Sequence, residues 1–365
     1  MRIHFKTTYD HDIRLFQDRW HAFWYLALIV VAIAAPFFLD EYYLGELTYV
    51  LVWALAGMGL MVLVGHAGQA SLGHAAFLAC GAYAQVNFLN AGVPFLLSLP
   101  LAGLFSALVG ALFAIPAIRM SGIYLAIATL AFGIVVEDVI ILLEHFTGGI
   151  EGVFTPAIII FGFEIDRYGT PDWFYWLCLA VVTVTALGYQ NMLRSPTGRA
   201  FVAIRDSEIS ARAMGINVAG YKTLAFAISC FVTGLAGALL AHFLTAFNYE
   251  AFLILISIQL LLMVTVGGLG SIHGAFFGAA IIGLLPQVIV LVRETVQDLA
   301  GMGNSSIPGL DTGIFGLILI LFIIIEPTGI YGRWVKTRIW FELFPLARKD
   351  MFRRHKSYLK TERVR

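Results

Sequence analysis

The chain has 365 residues, 60% of them hydrophobic and 13% charged, with a mean hydropathy of +0.86. Basic and acidic residues number 23 each, so no net charge argues for nucleic acid or another polyanion as partner. A soluble globular domain and a small accessory subunit are both excluded; the composition is that of a polytopic integral membrane protein.

Apolar runs bounded by Pro, Gly and charge predict an all-α polytopic membrane protein of about ten transmembrane helices. In chain order they run from Trp20 to Leu39, Leu47 to Val64, Ser71 to Leu89, Phe95 to Ile118, Ser121 to Leu143, Trp173 to Gln190, Thr223 to Ala246, Ala251 to Val266, Ala275 to Val292 and Thr312 to Ile325. The third is rich in small and polar residues, and a re-entrant helix is the alternative there; the segment 267–292 admits the same alternative, leaving eight full spans. Three regions follow: a cytoplasmic start at 1–19, a transmembrane domain at 20–326 with a cytoplasmic loop at 191–222, and a basic cytoplasmic tail at 327–365. The first apolar run lacks a small-residue cleavage pattern and reads as a retained span.

Cytoplasmic loops carry the Lys and Arg excess. With ten spans and both termini cytoplasmic, 21 of the 23 basic residues fall inside, leaving Arg167 and Arg293 outside. Asp40, Glu41, Glu46, Glu144, Glu151, Glu164, Asp166 and Asp172 fall on outer connections. Cys80, Cys178 and Cys230 each lie in apolar runs, where a thiol packs as a small hydrophobe. The sequence contains no phosphate-binding G-x-x-x-x-G-K-[ST] loop, no H-E-x-x-H and no C-x-x-C, and His66 and His74 are not spaced as helical metal ligands.

Two Gly-rich stretches combine small and polar residues. In the first, Gly73, Phe77 and Gly81, and also Ser71, Ala75 and Ala79, follow i, i+4 spacing, which lets helices approach closely. Gln69, Ser71 and His74 need partners or a water-filled cavity there, so either a tightly packed helix start or a solute pathway fits. Gly267, Gly268 and Gly270, with Ser271 and His273, form a similar start on the same side. Glu137 and Asp138 are adjacent acids inside the fifth span, suited to a water-filled vestibule or to hydrogen bonding with neighbours.

The polar block from Arg194 to Lys222, RSPTGRAFVAIRDSEISARAMGINVAGYK, separates two long apolar runs. Ser195 or Thr197 and Pro196 mark a helix start and Gly215 a stop, with a break expected at Asp206 and Ser207. Phe201, Ile204, Ile209, Ala213 and Met214 are expected to form one apolar face, flanked by Arg199, Arg205, Asp206, Glu208 and Arg212. Such a helix is either a solvated connection or a surface for a partner groove.

This block resembles the cytoplasmic coupling loop of the branched-chain amino-acid ABC permeases of the LivM type. GHAGQASLGHAAFLACGAYA at 65–84, SGIYLAIATLAFG at 121–133 with HFTGGIEGV at 145–153, and GGLGSIHGAFFGA at 267–279 resemble the same family. The resemblance implies a transport subunit of the bacterial inner membrane that is not itself an enzyme and binds no cofactor. It implies a second, LivH-like permease, two ATPase subunits that bind ATP-Mg, and an external solute-binding protein. It assigns ATPase coupling to Arg199, Arg205, Asp206, Glu208, Arg212 and Gly215. The pathway or helix-start residues expected are Gln69, Ser71, His74, Tyr124, Thr129, Glu137, Gly267 and Gly268. Urea, amides and aromatic acids are alternative solutes within the family, and a proton-coupled secondary transporter is the alternative of a different class. The aromatic and basic tail from Tyr331 suits the inner lipid surface.

Overall fold

The computed structural model describes residues 19–117, 120, 122–160, 162–300 and 329–343, with single positions between 313 and 324. The basic start before Arg19, most of the span expected at 312–325 and the tail beyond Leu343 lie outside the described residues. Among the described residues, seven helices are long and apolar enough to cross a membrane, and Ala22–Phe37 is a shorter apolar segment.

The elements are α1 (Arg19–Ala34), α2 (Glu41–Met61), α3 (His74–Asn90), α4 (Phe95–Ala117), α5 (Ile123–Leu142), the short α6 (Glu144–Thr147), α7 (Pro171–Arg194), α8 (Pro196–Asp206), α9 (Glu208–Ala213), α10 (Val218–Leu244), α11 (Ile254–Gly267), α12 (Ile272–Ala300) and α13 (Gly329–Leu343). Short strands β1 (Val153–Phe154), β2 (Ile158–Ile160), β3 (Phe163–Ile165) and β4 (Ala246–Phe247) pair antiparallel as β1–β4 and β2–β3. Helices thus match the first nine expected runs.

α2 and α10 are apolar on every side, which is the pattern of a helix surrounded by other helices. Leu55, Leu60, Phe226, Ala236 and Leu239 are fully enclosed, and α10 packs against α2, α3 and α4. Glycine makes that packing possible: Gly81 of α3 meets the Gly234 backbone of α10, and Gly237 meets the Leu78 carbonyl. Where lipid is as apolar as leucine, close approach of small residues is what holds helices together.

The polar block forms two helices, with Ser207 extended between them (φ −163°, ψ 111°) and Gly215 at φ +84° after α9. The expected single apolar face is corrected. Phe201 and Ile204 are buried with Ala211, while Ile209, Ala213 and Met214 are exposed, Ile209 and Met214 at 84% and 83%. The extended residue at Ser207 turns α9 relative to α8, so the helical phase of one does not continue into the other.

Direction alternates through α1, α2, α3, α4, α5, α7, α10, α11 and α12. α2 runs towards the loop helices, where Gly65 receives a hydrogen bond from Arg205, and α10 runs away from them, where Arg167 lies over the Phe243 ring at 3.7 Å. α1 and α13 meet at the loop end of α12, since His273 contacts Tyr25 and stacks on Tyr331.

Candidate functional site

The first feature is the start of α3. After α2 the chain makes a π turn over Val62–His66 and an irregular buried segment before His74. An exposed backbone of this kind inside a membrane needs internal partners. The Leu72 N–H donates to Thr129 Oγ1 of α5 at 2.9 Å, and the Ala75 N–H donates to Ser257 Oγ of α11 at 2.8 Å. Four polar side chains, Ser71, His74, Thr129 and Ser229, are fully enclosed around this start.

Hydrogen-bond directions settle the histidine tautomer. Ser229 Oγ donates its one proton to the Gly59 carbonyl at 2.6 Å, so the 2.8 Å contact from His74 Nε2 is the imidazole N–H donating to Ser229. His74 Nδ1 then accepts from Ser71 Oγ at 2.7 Å. The chain Ser71, His74, Ser229 and Gly59 is saturated and neutral, and it ties α3 to α10 and α2. Ser229→Ala leaves the buried imidazole donor unpaired, at a cost of about 1–3 kcal/mol; a lower detergent-melting temperature of the purified protein is the expected result, and an unchanged one refutes this account of the network.

Gln69 is also buried but is separate from this chain, lining a small cavity with Ala114, Ala117, Met120, Leu125, Lys222 and Phe226. Tyr124 is 74% exposed at the beginning of α5 and joins none of these groups. Glu137 is partly buried on α5, which packs against α11. Asp138 beside it is exposed.

The second Gly-rich stretch meets the first. A side chain on Gly65 would lie 2.7 Å from the Gly270 nitrogen, and the Gly270 N–H points to Met61 Sδ at 3.1 Å. Gly267 is pressed against the Gly274 carbonyl, and Ser271 Oγ donates to the Gly268 carbonyl at 3.2 Å. The α13 start at Gly329 packs directly on Gly268.

The loop helices are fastened to this region from two sides. Arg205 Nη1 donates to the Gly65 carbonyl at 2.9 Å, and its Nε and Nη2 donate to Asp206 Oδ1 at 3.2 and 3.1 Å. Glu208 pairs at 2.5 Å with Lys222, whose side chain is only 6% exposed. Arg199 donates to the Arg194 carbonyl, and Arg212 lies on the exposed side. Sequence reading missed Lys222 and Ser229. A lone lysine at the start of an apolar run was the available signal for Lys222; Ser229 carried none, because a serine within α10 satisfies its own backbone as readily as a distant histidine.

Comparison with known proteins bears on all of these segments. A family model described as "Branched-chain amino acid transport system / permease component" matches residues 42–323. The high-affinity branched-chain amino acid transport system permease protein LivM of Salmonella typhimurium is 32% identical over 328 residues, covering 84% of this chain and 73% of the relative. Its counterpart of the same description in Escherichia coli is 31% identical with the same coverage. A probable LivM permease of Methanocaldococcus jannaschii is 25% identical, covering 64% of this chain and 67% of the relative. No solved structure matches the chain significantly.

Proposed function

Since this chain belongs to the LivM-type branched-chain amino-acid ABC permeases, we propose that it forms one half of a pathway for branched-chain or related amino acids, driven by separate ATPases. It is a multi-pass membrane protein and a transport subunit rather than an enzyme. The exposed apolar pair Ile209 and Met214, on loop helices surrounded by charge, carries the reading. Water disfavours such a pair at a loop tip, and a partner groove covers it.

In this reading the loop at 191–222 is cytoplasmic and receives one of two ATPase subunits, each holding ATP-Mg. Ile209 and Met214 supply the apolar anchor; Arg199, Asp206, Arg212 and the Gly215 turn surround it, and Glu208 and Arg205 fasten it to the bundle. A LivH-like permease completes the pathway and an external binding protein delivers the solute. The membrane is the bacterial inner membrane. Ten crossings with both termini cytoplasmic, and the division into a start at 1–19, a permease domain at 20–326 and a tail at 327–365, are supported by the alternation of the nine described helices. α12 runs away from the loop end while α13 starts at that end, which supports the tenth crossing of this reading.

The solute side of the molecule is the face of α5. Glu137 and Asp138 lie in the outer half of an apolar helix, and an acid costs about 2.5–3.5 kcal/mol at the centre of a span and less toward the interface. That cost favours water or the second permease over lipid on this face. Tyr124 shares α5, whereas Gln69, Ser71, His74 and Thr129, with Gly267 and Gly268, hold the helix starts that line its inner end.

The reading is tested by reconstituting the full assembly in proteoliposomes with a binding protein and labelled leucine. Uptake that needs ATP and every partner is the expected result. Uptake by this chain alone under a proton gradient would falsify it in favour of a secondary transporter.

A further inference from the structure

Arg205 sits on the last turn of α8, and its guanidinium points into the bundle. Its side chain is 38% exposed, against 66% for Asp206. The donation to the Gly65 carbonyl spans 140 residues of sequence, and Asp206 grips the other edge of the same planar group. Held at both edges, the guanidinium has a fixed orientation that a lysine ammonium cannot reproduce.

Its surroundings are built for it. Gly68 adopts φ +69°, a conformation glycine adopts without strain, and a side chain there would lie 2.8 Å from Arg205 Cγ. Gly270, at φ +82°, presents its open side 3.7 Å from Arg205 Nη1 and packs against Gly65. One side chain therefore touches both glycine turns, the one that ends α2 and the one that precedes α12.

Gly65 belongs to the π turn Val62–His66, closed by an Ala67 N–H to Val62 carbonyl bond. A π turn holds one residue more than an α turn, so its relaxation advances the helix end by a residue; such turns cluster at functional sites. His66, in the same turn, accepts or donates at 2.9 Å to Tyr189 of α7, so the turn is also tied to the helix that leads into the loop.

We propose that Arg205 is the positioning residue that carries movement of α8 and α9 to the Gly65 carbonyl, and from there to the abutting glycine turns at 65–68 and 267–270. This rests on the reading of the loop as the ATPase contact, and assigns Arg205 to transmission rather than to docking. Pushing α8 shifts α2 and α12 together, because both glycine turns adjoin one guanidinium. The Glu208–Lys222 pair holds α9 to α10 meanwhile, so the push is applied between spans and not to the bundle as a whole.

The experiment uses the complete transporter in proteoliposomes with binding protein and labelled leucine, comparing wild type with Arg205→Lys and Arg205→Ala. Three quantities are read: ATPase subunits retained on the permease, basal ATP hydrolysis, and leucine imported per ATP. Retention and basal hydrolysis at wild-type levels with import per ATP reduced about tenfold in both variants is the expected outcome, within the range usual for coupling between sites. Loss of the ATPase subunits makes Arg205 a docking residue and overturns the proposal. So does wild-type import per ATP, and so does loss of folded permease in both variants, which marks a structural role alone. Failure of wild-type permease to retain ATPases at all counts instead against the underlying reading of the loop.

Discussion

Gly81→Val is expected to abolish accumulation of folded permease in the membrane. A single Cβ on Gly81 already falls 2.1 Å from the Gly234 carbonyl oxygen and 2.5 Å from its Cα, where no contact is sustainable. The obstacle is backbone, which cannot rotate away as a side chain does, so α3 and α10 must separate. Overpacking a core ordinarily costs about 1–3 kcal/mol, and this contact lies beyond that range because the whole helix pair moves. Separation also breaks the His74 to Ser229 hydrogen bond seven residues earlier on α3, exposing two polar groups to an apolar interior. Fluorescence size-exclusion profiles of tagged permease check it: a monodisperse wild-type peak from Gly81→Val would show that the helices tolerate a wider spacing. Gly188→Ala, within α7, is the control, since nothing lies within 4 Å of that glycine.

The second large effect is expected at the loop tip. Ile209→Asp combined with Met214→Asp should leave folding unchanged, because both side chains already face water at 84% and 83% exposure. Surface substitutions of this kind usually alter stability by about 0.5 kcal/mol or less. Binding is another matter, because a buried anchor replaced by a charge typically costs about 2 kcal/mol or more, and two of them act together. The double variant should therefore lose the ATPase subunits on affinity purification and lose ATP-driven uptake with them. Retention of the ATPases at wild-type stoichiometry would remove the loop from the docking surface. The contrast with Arg205 is informative, since the same helices hold both kinds of residue: the anchor variant loses assembly, whereas the Arg205 variants keep assembly and lose transmission.

Much of this architecture was legible in the linear pattern. Apolar runs bounded by Gly, Pro and charge marked where helices occur, because a lipid interior requires every backbone group to be satisfied within its own helix. The block from Arg194 to Lys222 stood out for the opposite reason, as charge in a chain that has little. Its stop at Gly215 and its break at Ser207 were visible as local chemistry, and the glycine at 215 does adopt positive φ. The apolar face of the block was misjudged. Helical phase was carried across Ser207 as if the axis continued, yet an extended residue there resets it, placing Ile209 and Met214 outside and Ala211 inside.

The polar residues of the Gly-rich stretches show where sequence reasoning stops. That Gln69, Ser71 and His74 required partners followed from their setting, but the partners themselves, Ser229 and the Gly59 carbonyl, lie on other helices. The similarity between the stretches at 65 and 267 was visible as glycine spacing, while their mutual contact through Gly65 and Gly270 was not. Glu137 likewise read as an acid suited to a water-filled vestibule or to hydrogen bonding with neighbours, and that α11 is the helix packed against α5 was not legible along the chain.

By itself, then, the sequence determined that the chain is a bundle of membrane helices, where its one polar loop lies and which family it belongs to. These are consequences of composition, period and local motif, each set by neighbours along the chain. Tertiary structure alone decided which side chains meet: Arg205 with Gly65, Lys222 with Glu208, His74 with Ser229. Helix periodicity constrains which face a residue occupies, but the partner across that face is set by how helices cross, and close glycine contacts fix those crossings only once the bundle has assembled.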